Sequence, residues 1–85
     1  AGDSTTPEST YRLAICYKRA EMFEALGNLN KLAFTYLDCA GIYSKIGNKD
    51  RAAYYARLAL NFARNLGGEV AVRRIEESVK ELGIN

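Results

Sequence analysis

Apolar residues recur every three or four positions along most of this chain of 85 residues. That spacing is typical of one buried face of an α-helix, and no segment shows the strict alternation of a β-strand. In the middle of the chain the stripe consists of Leu32, Tyr36, Cys39, Tyr43 and Ile46. The next stripe consists of Ala52, Tyr55, Ala59, Phe62 and Leu66, with Ala56 and Ala63 beside it, and a thinner third one of Val72, Ile75, Val79 and Leu82. The pattern therefore predicts an all-α fold.

A turn phrase of an aliphatic residue, Gly and then Asn or Gly recurs every 20 residues, at 26–28, 46–48 and 66–68. Gly in the left-handed conformation ends a helix, and a following Asn or Asp caps the next one. We expect Asn30 and Asp50 to be these N-caps, and Thr6 to cap a first helix that begins at Pro7. Short turns make neighbouring helices antiparallel. The sequence predicts four antiparallel helices, over 7–26, 31–46, 51–66 and 69–82.

The predicted domain organisation is simple. Eighty-five residues supply material for one hydrophobic core, so we expect a single helical domain over 7–85 after a disordered segment over 1–6. Helix 4, with a charged outer face, is expected to cover the exposed side of helix 3.

A second apolar patch, formed by Phe34, Leu37 and Gly41, lies on helix 2 opposite the buried stripe. A surface helix needs only one apolar stripe, so the patch requires a cover. Three alternatives for that cover remain open, namely helix 1, a dimer partner and an external peptide. Gly41 is unfavourable inside a helix, and close approach of another backbone would explain its presence. Helix 1 is apolar around much of its circumference, which suggests a homodimer formed through it.

The formal charge of +2 is unevenly distributed, because residues 45–74 carry seven Lys or Arg against two Asp or Glu. Arg57, Arg64, Arg73 and Arg74 could form a basic face on helices 3 and 4, and nucleic acid is an alternative partner for such a face. We favour a solvated outer surface, since no nucleic-acid-binding signature accompanies these residues.

Catalytic and metal-binding residues are scarce. The chain has no His, and its two cysteines, Cys16 and Cys39, do not make a disulfide framework or a zinc site. We expect a buried pair of free thiols rather than a disulfide, a cytoplasmic location, no cofactor and no enzymatic activity. No apolar run reaches the roughly 20 residues that cross a bilayer, so no membrane partner is predicted.

Residues 33–60 resemble one tetratricopeptide repeat. The aromatic, small and turn positions of that family are matched by Tyr36, Ala40, Tyr43, Gly47, Ala52, Tyr55 and Ala59. The 20-residue period is similar to that of the longer variant in bacterial regulators and spindle-orientation adaptors. Three-helix modules of the microtubule-interacting-and-trafficking type are similar in packing and remain an alternative.

The resemblance implies a non-catalytic binding scaffold. The first helices of tetratricopeptide repeats line a concave groove that accepts peptides or partner helices. The groove positions carried over to this chain are Phe34, Leu37, Gly41, Ser44 and Lys45. We therefore expect a protein-interaction module that binds a peptide, a partner helix or its own copy. Phe34 and Leu37 would anchor the ligand, and Lys45 would provide a polar rim.

Overall fold

A computed structural model describes residues 6–66 and 68–83, and within them every regular element is helical. The helices are α1 (Pro7–Leu26), α2 (Leu29–Lys45), α3 (Lys49–Asn65) and α4 (Glu69–Glu81). The all-α prediction with four helices is thereby confirmed. Of the segment 1–6 predicted to be disordered, residues 1–5 lie outside the described part. Thr6 caps α1 as predicted, because its hydroxyl oxygen accepts from the backbone N–H of Ser9 at 3.1 Å.

The predicted N-caps Asn30 and Asp50 are wrong, since both residues lie within the first helical turn. Asn28 caps α2 instead, with its Oδ1 accepting from the backbone N–H of Lys31 at 3.2 Å. Asn48 caps α3 in the same way through Arg51. Consequently α2 and α3 begin two residues earlier than the sequence predicts.

The structure of the α1–α2 turn explains the error. Gly27 takes the left-handed conformation (φ 71°), and the backbone N–H of Asn28 donates to the carbonyl of Phe23 at 2.9 Å. The backbone N–H of Asn28 thus satisfies a carbonyl group at the end of α1, and its side chain satisfies an N–H group at the start of α2. The α2–α3 turn repeats this arrangement around Gly47 (φ 83°). Because one residue makes hydrogen bonds to the ends of both helices, the turn needs no additional residues.

The predicted bounds of α1 and the predicted start of α4 are confirmed. The other three helices end one residue earlier than predicted, because Ile46, Leu66 and Leu82 are C-caps that follow the last helical residues. Leu66, predicted to end the buried stripe of α3, is 42% exposed and does not belong to the core. The predicted helix-ending Gly67 lies outside the described residues. α4 begins after Gly68, so no side chain of its N-cap residue accepts from the first N–H groups of the helix.

α2 is the central element, with backbone contacts to all three other helices. Its Ala33 joins Ala59 and Ala63 of α3 and Ile75 of α4 in one fully buried cluster. Small residues at these crossings let the helix axes approach closely. As predicted, α4 covers α3, and it also reaches α2. A second cluster, of Tyr43, Ile46 and Ala52, closes the opposite end of the α2–α3 hairpin.

Candidate functional site

A groove runs along α2 between α1 and α4. Both flanking helices contact α2, but within the described residues α1 and α4 make no backbone contact with each other. The space between them measures about 640 Å³. We call it the α2 groove, and its lining is Arg12, Ile15, Cys16 and Arg19 from α1, Leu37, Asp38, Gly41, Ile42 and Lys45 from α2, and Ser78, Glu81 and Leu82 from the C-terminal end of α4.

The floor of the α2 groove is open at Gly41. A Cβ atom added at this position would meet no atom within 4 Å. The close backbone approach expected at Gly41 is therefore not made by any described part of this chain. The residue lies inside α2, where Gly is unfavourable, and its lack of a side chain leaves the groove deeper.

Three of the five predicted partner-binding residues, Leu37, Gly41 and Lys45, line the α2 groove. Phe34 does not. It packs, as does Leu37, against the buried cluster that Ala33, Ala59, Ala63 and Ile75 form, so part of the apolar patch is covered within the chain. Ser44 is also absent from the lining, and its carbonyl accepts from the backbone N–H of Gly47 at 3.2 Å.

Sequence reasoning missed both walls of the groove. Arg12, Ile15 and Arg19 recur on α1 at helical spacing, which is the signal that could have placed them on one face. Arg12 also forms an ion pair with Glu8 at 2.8 Å, one turn earlier. The α4 wall at Glu81 carries the opposite charge. The groove thus has a basic α1 wall and an acidic residue on its α4 wall.

Three ionisable groups at the α1–α2 boundary have raised pKa values. Partial burial raises the pKa of the Asp38 carboxyl, and the positive charge of Arg19 offsets part of that effect. Burial is also the main cause that raises the pKa of the Cys39 thiol to about 12, followed by the neighbouring Cys16. Both thiols are free and buried, and burial raises the pKa of Cys16 too.

The four arginines of the alternative nucleic-acid-binding face are all exposed. Arg64 and Arg73 meet at a shallow depression between α3 and α4, which two glutamates also line. One of them, Glu76, lies 3.6 Å from the Arg64 guanidinium. Arg57 and Arg74 do not line this depression. Acidic side chains therefore interrupt the basic face, which lowers its positive potential.

Residues 6–66 and 68–83 contain neither a cluster of metal-binding side chains nor a helix that could cross a membrane. Nowhere in these ranges do three or more His, Cys, Asp or Glu side chains meet in a way that could hold a metal ion. None of the described helices combines the length and the apolarity that crossing a membrane requires.

No protein-family model matches the sequence, and no curated protein or solved structure shows significant similarity to it.

Proposed function

We propose that this protein is an interaction module that binds an amphipathic helix of a partner protein in the α2 groove. The observation that carries the proposal is the open, largely apolar space above Gly41, between the walls formed by α1 and α4. The tetratricopeptide-like pattern of residues 33–60 supports it, because that family uses such grooves for peptides and helices.

The dimensions of the groove favour a helical ligand. On α2 its lining extends from Leu37 to Lys45, which at about 1.5 Å per residue is ~12 Å, or about two helical turns. Two turns accommodate three apolar side chains of a bound helix at positions i, i+3 or i+4, and i+7. Leu37, Ile42 and Ile15 supply apolar contacts for them.

The charges of the walls add a preference for one kind of amphipathic helix. Arg19 favours an acidic side chain on the edge of the partner helix that faces α1, whereas Arg12 is already ion-paired with Glu8. Glu81 favours a basic side chain on the edge that faces α4. An apolar stripe flanked by opposite charges on its two sides therefore complements the groove.

The proposal contains no catalytic step. The raised pKa values of both thiols support this, because a thiolate rather than a thiol is the nucleophile. We also propose a cytoplasmic location, which two free cysteines support, since reduced thiols are typical of that compartment.

Selection from a displayed library of amphipathic helices tests the proposal. Phe34→Asp is a poor probe, because Phe34 packs against the core and its loss would destabilise the fold. Gly41→Phe is better, since it fills the groove from a position with free space. Asn61→Phe, on the exposed face of α3, is the matched control. We expect selected peptides to bind the Asn61→Phe variant normally and the Gly41→Phe variant at least about tenfold more weakly.

Other outcomes would redirect the assignment. Equal binding to both variants would place the peptide outside the groove and contradict the proposal. A homodimer in sedimentation that Gly41→Phe dissociates would make a second copy the occupant. Binding to nucleic acid that weakens steeply with salt, and that survives Gly41→Phe, would favour the arginine face instead.

A further inference from the structure

Four tyrosines line a second depression, which shares no residue with the α2 groove. It measures about 430 Å³ and is formed by α1, α2 and α3. We call it the tyrosine pocket, and its lining is Tyr17, Ala20, Glu21, Glu24, Tyr36, Tyr54, Tyr55 and Leu58. The inference drawn from it is independent of the function proposed for the groove.

Tyr55 is the ring around which the other tyrosines pack, and it is stacked on Tyr43 with 5.6 Å between the ring centroids. Its ring centroid lies 5.9 Å from that of Tyr36 and 6.2 Å from that of Tyr17, both tilted against it. Tyr54 stands edge-on to Tyr55 at 5.2 Å and is 58% exposed. Tyr17 is held in position by a hydrogen bond between its hydroxyl group and that of Tyr43. The rings therefore belong to a packed cluster, yet part of their surface borders open space.

The charged residues of the pocket are both acidic, and no Lys or Arg contributes to its lining. Glu21 and Glu24 are exposed, and neither forms an ion pair with a described residue. Glu24 lies close enough to Tyr36 to help raise the pKa of that phenol, after the larger effect of burial. The pocket thus combines aromatic faces with two carboxylates, and both attract a cation.

Among organic cations, a guanidinium group fits this combination best. It is planar, stacks on an aromatic face and donates two parallel hydrogen bonds to a carboxylate, whereas an ammonium group is a compact point charge. The same tyrosine cluster already attracts one guanidinium of this chain, because Arg51 lies 5.8 Å from the ring centroid of Tyr43. Arg51 does not line the tyrosine pocket, which leaves that site available for a second guanidinium.

We propose that the tyrosine pocket binds an arginine side chain of a partner protein. Tyr54, which is 58% exposed, supplies the stacking face, because the Tyr55 ring is already stacked on Tyr43 at 5.6 Å. Glu21 and Glu24 supply the hydrogen-bond acceptors. The pocket is open, so a single arginine binds weakly, and its contribution adds to that of other contacts made by the same partner.

Titration of the full chain with N-acetyl-arginine methylamide, followed by NMR of the tyrosine ring resonances, tests this proposal. The matched neutral probe is N-acetyl-citrulline methylamide, which has nearly the same shape without the charge. The lysine analogue tests the preference for guanidinium. We expect saturable shifts at Tyr54 and Tyr55 with the arginine probe and weaker binding of the other two.

Two exposed positions allow substitutions that leave the core intact. Tyr54→Ser and Glu24→Gln should each weaken binding of the arginine probe about threefold, the effect of one solvent-exposed cation–π or ionic contact. Tyr11→Ser and Glu77→Gln, at exposed sites outside the pocket, are the controls and should change nothing. The proposal is overturned if citrulline or lysine binds as well as arginine. It is also overturned if no ring shifts occur, or if the control variants weaken binding equally.

Discussion

Replacing Gly41 with Ala should stabilise the protein. Gly41 lies inside α2, its φ is not positive, and an added Cβ would meet no atom within 4 Å. The new methyl group therefore causes no strain and makes no contact, so the effect comes from the backbone. Ala restricts the unfolded chain more than Gly does, which favours the folded state by about 0.5–1 kcal/mol within a helix.

Gly27→Ala is the matched control, because it makes the same chemical change in equally open space but at a φ of 71°. Left-handed conformation costs a residue with a Cβ about 1–2 kcal/mol, which outweighs the entropic gain of the substitution. The two variants should therefore change stability in opposite directions, although neither gains or loses a side-chain contact.

Thermal unfolding followed by far-UV circular dichroism measures both effects. For a domain of this size, 1 kcal/mol corresponds to about 4–8 °C in Tm, so Gly41→Ala should raise Tm by ~2–8 °C. Gly27→Ala should lower it. A lower Tm for Gly41→Ala would mean that the space above the groove floor is filled in the folded protein. That result would refute the reasoning on which the α2 groove depends.

Three further predictions concern caps, thiols and pH. Asn28→Ala should lower the free energy of unfolding, measured in urea, by about 1 kcal/mol. Asn30→Ala, at the cap that the sequence predicts, should lower it far less, and equal losses would contradict the observed cap. Cys39, with a pKa of about 12, should react with a thiol reagent at neutral pH only after denaturation, when both Cys39 and Cys16 are titrated. A disulfide would instead give no free thiol. Because folding raises the pKa of Asp38, the folded state binds its proton more tightly, and stability falls as pH rises from 3.8 to the folded pKa. Asp38→Asn should therefore raise the free energy of unfolding at neutral pH, and the part of this gain that comes from removing the charge should vanish below pH 3.8. A lower free energy of unfolding at neutral pH would show that Asp38 is favourably paired.

The sequence is most informative about α2 and α3, because their apolar residues recur regularly at helical spacing. Leu32, Cys39 and Ala59 were all placed correctly in the core. The caps were harder to predict. Asn28 and Asn30 are both good capping residues, and the choice between them depends on the hydrogen bond that fixes Asn28 behind Gly27.

The candidate site could be predicted only in part. Periodicity assigns a residue to a face of its own helix, which is why Leu37 and Gly41 were found. It does not give the angle or distance between helices, so it could not show that Arg19 and Glu81 line the same groove. Nor could it show that Phe34 would pack against a buried cluster that includes Ile75 of α4. These facts depend on how the helices pack, which no single segment encodes.

The position of α1 at one end of the fold has a consequence for its dynamics. Within the described residues its backbone contacts are to α2 alone, its Tyr17 ring packs beside Tyr55 of α3, and only Cys16 and Ala20 are buried. We expect α1 to open locally more often than the hairpin of α2 and α3, and to show faster amide hydrogen exchange.

Both surfaces discussed above depend on this helix, since Arg19 lines the α2 groove and Glu24 lines the tyrosine pocket. A ligand at either surface would hold α1 in its closed position. By thermodynamic linkage it would then strengthen binding at the other surface, without any contact between the two ligands. A single helix that opens locally would thus couple two surfaces that share none of the described lining residues.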